Sequence, residues 1–222
     1  MKKFIIQEIV KKYDTLIFDF DGTLIDSEPY HMKAHSFVLS EITGRQITLT
    51  PKDFERYIGK KDTEIFEMYK QDFTVDFDKE KMIAKKIERT RELLLDDNIK
   101  IFDYFLKLAK TNENKKFYIV SNQDERILFP ILEKKGIRKY FENIFCLPKI
   151  NVKKDCFYQN INKFIKNIGN FVVFEDNFNT TKFLKQIGIK TIGIVNSMNK
   201  GLLKNSCDFI IDTTKQQKTL SK

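Results

Sequence analysis

Residues 15–23 read Thr15-Leu16-Ile17-Phe18-Asp19-Phe20-Asp21-Gly22-Thr23, an apolar run that breaks abruptly into two carboxylates, a glycine and a threonine. The run is short and rich in β-branched and aromatic residues. It does not alternate polar with apolar side chains, so both of its faces need cover, as in a parallel strand packed between helices. Runs of the same character recur at 117–120, 171–174 and 191–195, with a shorter candidate at 209–211. Between them, helical periodicity is read at about 124–135, 155–168 and 179–186, and Gly136 and Gly188 fall just past two of these helices, where a left-handed cap belongs. Alternating strand and helix predicts an α/β fold built on a doubly wound parallel sheet.

The stretch from about 26 to 97 is different. It is helical in pattern throughout, with Pro29 close behind Asp26 and Ser27 at one helix start, Phe37, Val38, Leu39 and Ile42 continuing an apolar face, and a further helix across 79–95. The expected organisation is therefore a Rossmann-like α/β core from residues 1–25 and 98–222, with an inserted α-helical cap domain at 26–97. The polar tail from 213 to 222 is expected to fray.

Composition bounds the class. The chain has 222 residues with 41% hydrophobic and 32% charged residues, enough for a buried core under a solvated surface. Its net charge of +9 (40 basic against 31 acidic residues) comes from lysines scattered singly and in pairs among carboxylates, a pattern that argues against a dedicated nucleic-acid face. Three cysteines, Cys146, Cys156 and Cys207, fit no metal spacing and cannot all pair, so they are expected to be reduced thiols. No segment is apolar enough for a signal peptide or a membrane span, and the expected location is cytoplasmic.

Chemistry gathers where the predicted strands end. The first runs into Asp19 and Asp21, the second into Ser121-Asn122, the third into Glu175-Asp176-Asn177. In an open parallel sheet, ligands bind at the carboxyl ends of the strands, so three separate segments deliver polar groups to one edge. Two carboxylates brought within about 4 Å repel by roughly 4 kcal/mol at an effective dielectric near 20. Such a pair persists only with a cation or a shared proton, and Asp176 adds a third acid. Clustered carboxylates without nearby cysteine or paired histidine describe a hard oxygen site suited to magnesium. A lone D-x-D is usually a turn, but D-x-D-G-T directly after an apolar strand arises by chance in roughly one chain of this length in several hundred.

Asp19-Phe20-Asp21-Gly22-Thr23-Leu24-Ile25-Asp26-Ser27 resembles the first motif of the haloacid dehalogenase superfamily of phosphotransferases. The likeness extends to Ser121-Asn122, to a lysine near Lys153, to Phe174-Glu175-Asp176-Asn177 and to the helix and glycine at 180–188. The inserted helical block is similar to the α-helical cap of small-molecule phosphatases and β-phosphoglucomutase. The resemblance implies Asp19 as a nucleophile that forms an aspartyl-phosphate, and Asp21 as general acid and then base. It implies Mg2+ held by Asp19, Asp176 and the backbone carbonyl of Asp21, with Glu175 acting through water. Ser121, the amide of Asn122 and Thr23 would bind the phosphoryl group. The family's Lys-Pro-x-Pro is replaced by Asn151-Val152-Lys153-Lys154-Asp155; Lys153 is preferred as the catalytic lysine because Asp155 looks like a helix start, with Lys154 as a second phosphate contact. Asn177 stands where serine is common, and the Pro-Gly expected before the helix after Asp103 is absent.

His31 occupies the position of a β-phosphoglucomutase histidine in Ser27-Glu28-Pro29-Tyr30-His31. Its spacing to His35 could serve zinc, but the intervening Met32, Lys33 and Ala34 complete no metal motif. Gly59-Lys60-Lys61-Asp62 is the expected substrate-facing turn of the cap. The function expected is a magnesium-dependent phosphatase for a small phosphorylated sugar, polyol or similar metabolite, acting as a monomer or weak homodimer without nucleic acid or membrane. A phosphomutase is the alternative. A non-catalytic member of the fold and a dehalogenase fit less well, because Asp19, Asp21 and Asp176 are all present.

Overall fold

The computed structural model describes residues 3–57, 60, 62–96, 99–196, 198–199 and 201–214. The chain divides into two compact units, one of residues Met1–Asp26 with Lys100–Lys222 and one of Ser27–Ile99. Residues 97 and 98, between which the sequence reading put the second boundary, lie outside the described residues, as do 215–222 of the tail.

In the first unit the elements are α1 (Lys3–Val10) and β1 (Thr15–Phe18), followed after the insertion by α6 (Asp103–Thr111), β2 (Lys116–Ser121), α7 (Glu125–Lys134), β3 (Asn143–Cys146), α8 (Lys154–Gln159), α9 (Ile161–Phe164), β4 (Phe171–Glu175), α10 (Phe178–Gln186), β5 (Thr191–Val195) and β6 (Phe209–Asp212). The insertion holds α2 (Glu28–Thr43), α3 (Pro51–Phe54), α4 (Asp62–Phe73) and α5 (Lys79–Asp96).

The six strands form one sheet in the order β3-β2-β1-β4-β5-β6, and each pairing is parallel. Successive crossovers run outward from β1 to β3, then return past β1 to β4 and run outward the other way. The direction reverses between β1 and β4, so the segments leaving these two strands diverge and open a crevice at their carboxyl ends. The register is level there: Phe18 lies beside Ile119 on one side and Phe174 on the other. Asp19 N–H continues the ladder by donating to Phe174 O at 2.9 Å, so Asp19 stands next to Glu175.

Beneath that edge the strands are held by aromatic packing. Phe18 stacks on Phe174 with centroids 4.4 Å apart and meets Phe105 of α6 edge-on at 5.4 Å. Such pairs add about 0.5–1.5 kcal/mol each beyond the area they bury. β1 is fully buried, as its unbroken apolar run requires. Gly136 and Gly188 take positive φ of 62° and 77° after their helices, as expected.

Three features depart from the sequence reading. β3 was not expected, since Asn143-Ile144-Phe145-Cys146 is a short edge strand with an exposed first residue. α1 was not expected either. The single helix predicted across 155–168 is two short ones, because Asn160 (φ −118°, ψ 27°) leaves helical geometry between them.

In the helical unit, α5 packs along α2 and against α4, with Ala34, His35, Val38 and Leu39 of α2 and Ile65, Phe66 and Tyr69 of α4 buried.

Candidate active site

Asp19 leaves β1 with only 8% of its surface exposed. Lys154, the first residue of α8, reaches it: Nζ lies 3.0 Å from Asp19 Oδ2 and 2.8 Å from Glu175 Oε2. Burial alone would lower the ammonium pKa, but the charges of Asp19 and Glu175 outweigh it and raise Lys154 well above its ordinary value. Asp19 is also shifted upward. Burial first, and Glu175's charge second, raise its carboxyl well above the usual range, while Lys154 opposes them.

The lysine assignment is thereby corrected. Lys153, the residue preferred from sequence, is exposed and sits at the N-cap of α8 in extended conformation (φ −72°, ψ 145°); Lys154, one residue on, carries the ammonium to Asp19. Adjacent residues at a helix start point about 100° apart, so only one of the two can face the sheet.

Glu175 is fully buried and its oxygens are committed. Oε1 accepts from the backbone N–H groups of Asp176 and Asn177 at 3.2 and 3.0 Å, and Oε2 accepts from Lys154. Asp176 is steered by its neighbours. Asn196 Nδ2 donates to its Oδ2 at 2.9 Å and to the Gly22 carbonyl at 3.2 Å, while Asn199 Nδ2 donates to the Asp176 carbonyl at 2.8 Å. Gly22 is needed for close approach: it has φ +64°, and a Cβ there would lie 2.2 Å from Asp176 Oδ2 and 2.8 Å from Asn196 Nδ2.

Thr23, expected at the phosphoryl group, is fully buried, and its hydroxyl donates to Asp176 Oδ1 at 3.4 Å. Its carbonyl accepts from the Tyr104 hydroxyl at 2.6 Å, which ties the D-x-D-G-T turn to α6. Thr23 thus orients an acid.

On the β2 side, Ser121 is buried and its Oγ accepts from the Gln123 backbone N–H at 3.0 Å; Asn122 is exposed on the turn. Asp21 presents Oδ2 to Gln123 Nε2 at 2.8 Å.

Oxygens of Asp19, Glu175 and Asp176 lie within 4.8 Å of one another. Asp21's carboxylate, paired with Gln123, is outside that group. Among the described residues three acids stand against one lysine, and hard carboxylate oxygens fit a magnesium-sized cation. With Glu175's oxygens taken by Lys154 and backbone amides, Asp19 and Asp176 are the residues fitted to hold such an ion directly.

The family model described as haloacid dehalogenase-like hydrolase matches residues 13–188, which includes the ends of β1, β2 and β4. The chain belongs to this family. Compared with curated proteins, it has no match. Among solved structures it is similar to a family IA, variant 3 haloacid dehalogenase hydrolase from Entamoeba histolytica, at 24% identity and TM-score 0.75, covering 91% of this chain and 94% of that one. It is also similar to CbbY from Rhodobacter sphaeroides (16% identity, TM-score 0.76, 90% and 94% covered). A β-phosphoglucomutase from Clostridium difficile matches at 20% identity and TM-score 0.68, with 92% of each chain covered. At these identities the likeness is one of fold.

The hydrolase's helical unit has a polar cluster of its own. Lys86 Nζ lies 3.0 Å from Asp62 Oδ1 and 3.5 Å from His31 Nδ1, so the predicted site residue His31 stands beside a buried lysine of α5. His35 is buried between the Tyr69 hydroxyl, 2.9 Å from Nδ1, and Asp62 Oδ1, 3.6 Å from Nε2. Burial drives the His35 pKa down to about 4, with Asp62 opposing, so at neutral pH this contact joins a neutral ring to a carboxylate. Burial works to raise Asp62, but Lys86 and His35 outweigh it and hold the carboxyl below the usual range. Of the expected substrate-facing turn, Gly59 and Lys61 lie outside the described residues, and Asp62 is engaged with Lys86.

Sequence reasoning missed Gln123, Asn196 and Asn199. Asn196 had a usable signal, since it directly follows the fourth apolar run, where the same strand-end rule applies.

Proposed function

We propose that the chain is a magnesium-dependent phosphatase of small phosphorylated metabolites, of the sugar or polyol phosphate class, working through a phosphorylated Asp19. The observation that carries this reading is the convergence of Asp19, Glu175 and Asp176 on one point, with Lys154 against Asp19. An Asp19 oxygen attacks phosphorus and the bond to the leaving oxygen breaks. Asp21 gives that oxygen a proton, then takes one from the water that cleaves the Asp19–phosphorus bond. Lys154 offsets the charge of the incoming phosphate, and Ser121 with the Asn122 amide hydrogen-bonds its oxygens. Magnesium, when bound by Asp19 and Asp176, supplies further charge neutralisation. The substrate class is supported by CbbY, a similar fold solved with phosphate and, as a variant, with xylulose-(1,5)bisphosphate.

The test is phosphate release from a panel of phosphomonoesters with magnesium. Wild type should turn over at least one, Asp19→Asn none, and release that persists in Asp19→Asn would overturn the reading. A second reading, a sugar phosphomutase, is favoured by His31 beside Lys86 on the inserted unit. Conversion of a sugar 1-phosphate to its 6-phosphate, in place of free phosphate, would select it.

A further inference from the structure

The turn after β2 carries a side chain that the proposed chemistry leaves unused. Gln123 is half-buried and makes three hydrogen bonds of fixed polarity. Its Oε1 lies 3.0 Å from the Asp124 backbone nitrogen, its Nε2 lies 2.8 Å from Asp21 Oδ2, and its own backbone N–H donates to Ser121 Oγ at 3.0 Å. Amide oxygen and nitrogen are ordinarily told apart only by their partners. Here a main-chain N–H settles it, because that group can only donate and so requires the amide oxygen. The amide nitrogen must then face Asp21. An NH2 group in turn only donates, so Asp21 Oδ2 is the acceptor, which favours Oδ1 as the oxygen that carries a proton.

The platform is rigid. Asp124 caps α7, its carboxylate accepting from Arg126 N–H at 2.8 Å and from the Arg126 guanidinium at 2.7 Å. Gln123 thus immediately precedes the cap of α7, and through it Asp21 is referenced to the same strand end that bears Ser121.

We infer that Gln123 is a positioning residue for Asp21, holding the carboxyl by Oδ2 so that Oδ1 faces the leaving oxygen and carries the transferred proton. This rests on the phosphatase reading above. In the first half-reaction the Asp19–phosphorus bond forms, the bond to the leaving oxygen breaks, and the Oδ1 proton passes to that oxygen. In the second, the water–phosphorus bond forms, the Asp19–phosphorus bond breaks, and the water's proton returns to Oδ1.

The closing experiment compares kcat/KM, which reports steps through leaving-group departure, for a simple alkyl phosphate and for p-nitrophenyl phosphate. An alkoxide needs the proton; nitrophenolate leaves without it. Gln123→Leu should lower kcat/KM on the alkyl ester about 10- to 100-fold, a fraction of the 10²–10⁴ that general acids contribute, and change the aryl ester less than about 3-fold. Gln123→Glu keeps the shape but replaces the donor, and should show the same split. In an Asp21→Ala background, Gln123→Leu should cost nothing more. Equal losses on both esters, or an additive loss without Asp21, would overturn the inference. A readout independent of turnover is the Gln123 side-chain amide signal in a nitrogen–proton correlation spectrum, identified by its loss in Gln123→Leu. It should shift in Asp21→Ala, and an unmoved signal would also overturn the inference. Should wild type release no phosphate from any ester, the phosphatase reading fails, while this signal still decides whether Gln123 holds Asp21.

Discussion

Each unit of the molecule buries a lysine against carboxylate, and the two do so with different charge balance. In the helical unit Lys86 meets one acid among the described residues, Asp62, with His31, the neutral His35 ring and the Tyr69 hydroxyl in the same cluster. One positive charge answers one negative charge. In the sheet unit Lys154 meets Asp19 and Glu175, and Asp176 converges on the same point. There, among the described residues, the acids outnumber the base three to one. A balanced buried pair is a structural solution; an unbalanced one persists because something else arrives to neutralise it. The comparison distinguishes a site from a strut without reference to sequence motifs.

The sharpest way to break it is to remove Asp19, the proposed nucleophile. Asp19→Asn should reduce phosphate release by at least about 10³-fold, beyond what loss of one neutral hydrogen-bond donor causes in such sites. Because it also removes a charge that burial disfavours, the variant should melt no lower than wild type. Loss of activity accompanied by unfolding would contradict the contrast.

Next come the lysines. Lys154→Met leaves Asp19 and Glu175 facing each other and should destabilise the fold by about 3–5 kcal/mol while reducing turnover; Lys153→Ala should change either by little. Lys86→Met should also destabilise, but the double change Lys86→Met with Asp62→Leu should recover most of the loss, as a balanced pair permits. No apolar replacement of Lys154 and Glu175 together should recover turnover.

Cation binding separates the units by a smaller amount. Magnesium at 100 times its dissociation constant adds about 2.7 kcal/mol of stability, a melting shift of roughly 5–10 °C for a chain of this size. That shift should vanish in Asp176→Asn and survive in Lys86→Met; an equal shift in both would remove the distinction.

The mildest effect is one of pH. His35 titrates near 6.5 when unfolded and at about 4 in the fold, so folding disfavours its proton. The neutral ring's contribution is fully present above pH 6.5 and is lost as pH falls through 4. Roughly 2 kcal/mol should disappear between pH 7 and pH 5, measured by thermal or urea unfolding, and His35→Gln should flatten that slope.

The framework of this fold was legible because fully buried parallel strands are written as unbroken apolar runs, and β1, β2, β4 and β5 all are. β3 escaped because an edge strand needs cover on fewer sides, and four residues with an exposed asparagine carry no such run. The acids of the site were legible for the same reason as the strands, since each follows one directly. Lys154 was not, because choosing between two adjacent lysines requires the phase of the helix they begin. A clue lay in the sequence: Lys154 is followed at i+3 and i+4 by Phe157 and Tyr158, both buried aromatics, whereas Lys153 is followed at those spacings by the exposed Cys156 and by Phe157. Gln123 and Asn199 had no comparable signal, for amides are ordinary turn residues and their partners are remote in the chain.

Gly22 gives the carboxylates their tightest tolerance. With an Asp176 oxygen 2.2 Å from where a methyl carbon would go, the backbone itself closes one side of the acidic cluster. Gly22→Ala would therefore silence the centre while leaving each ionisable group in the chain, a knockout whose charge is indistinguishable from the wild type.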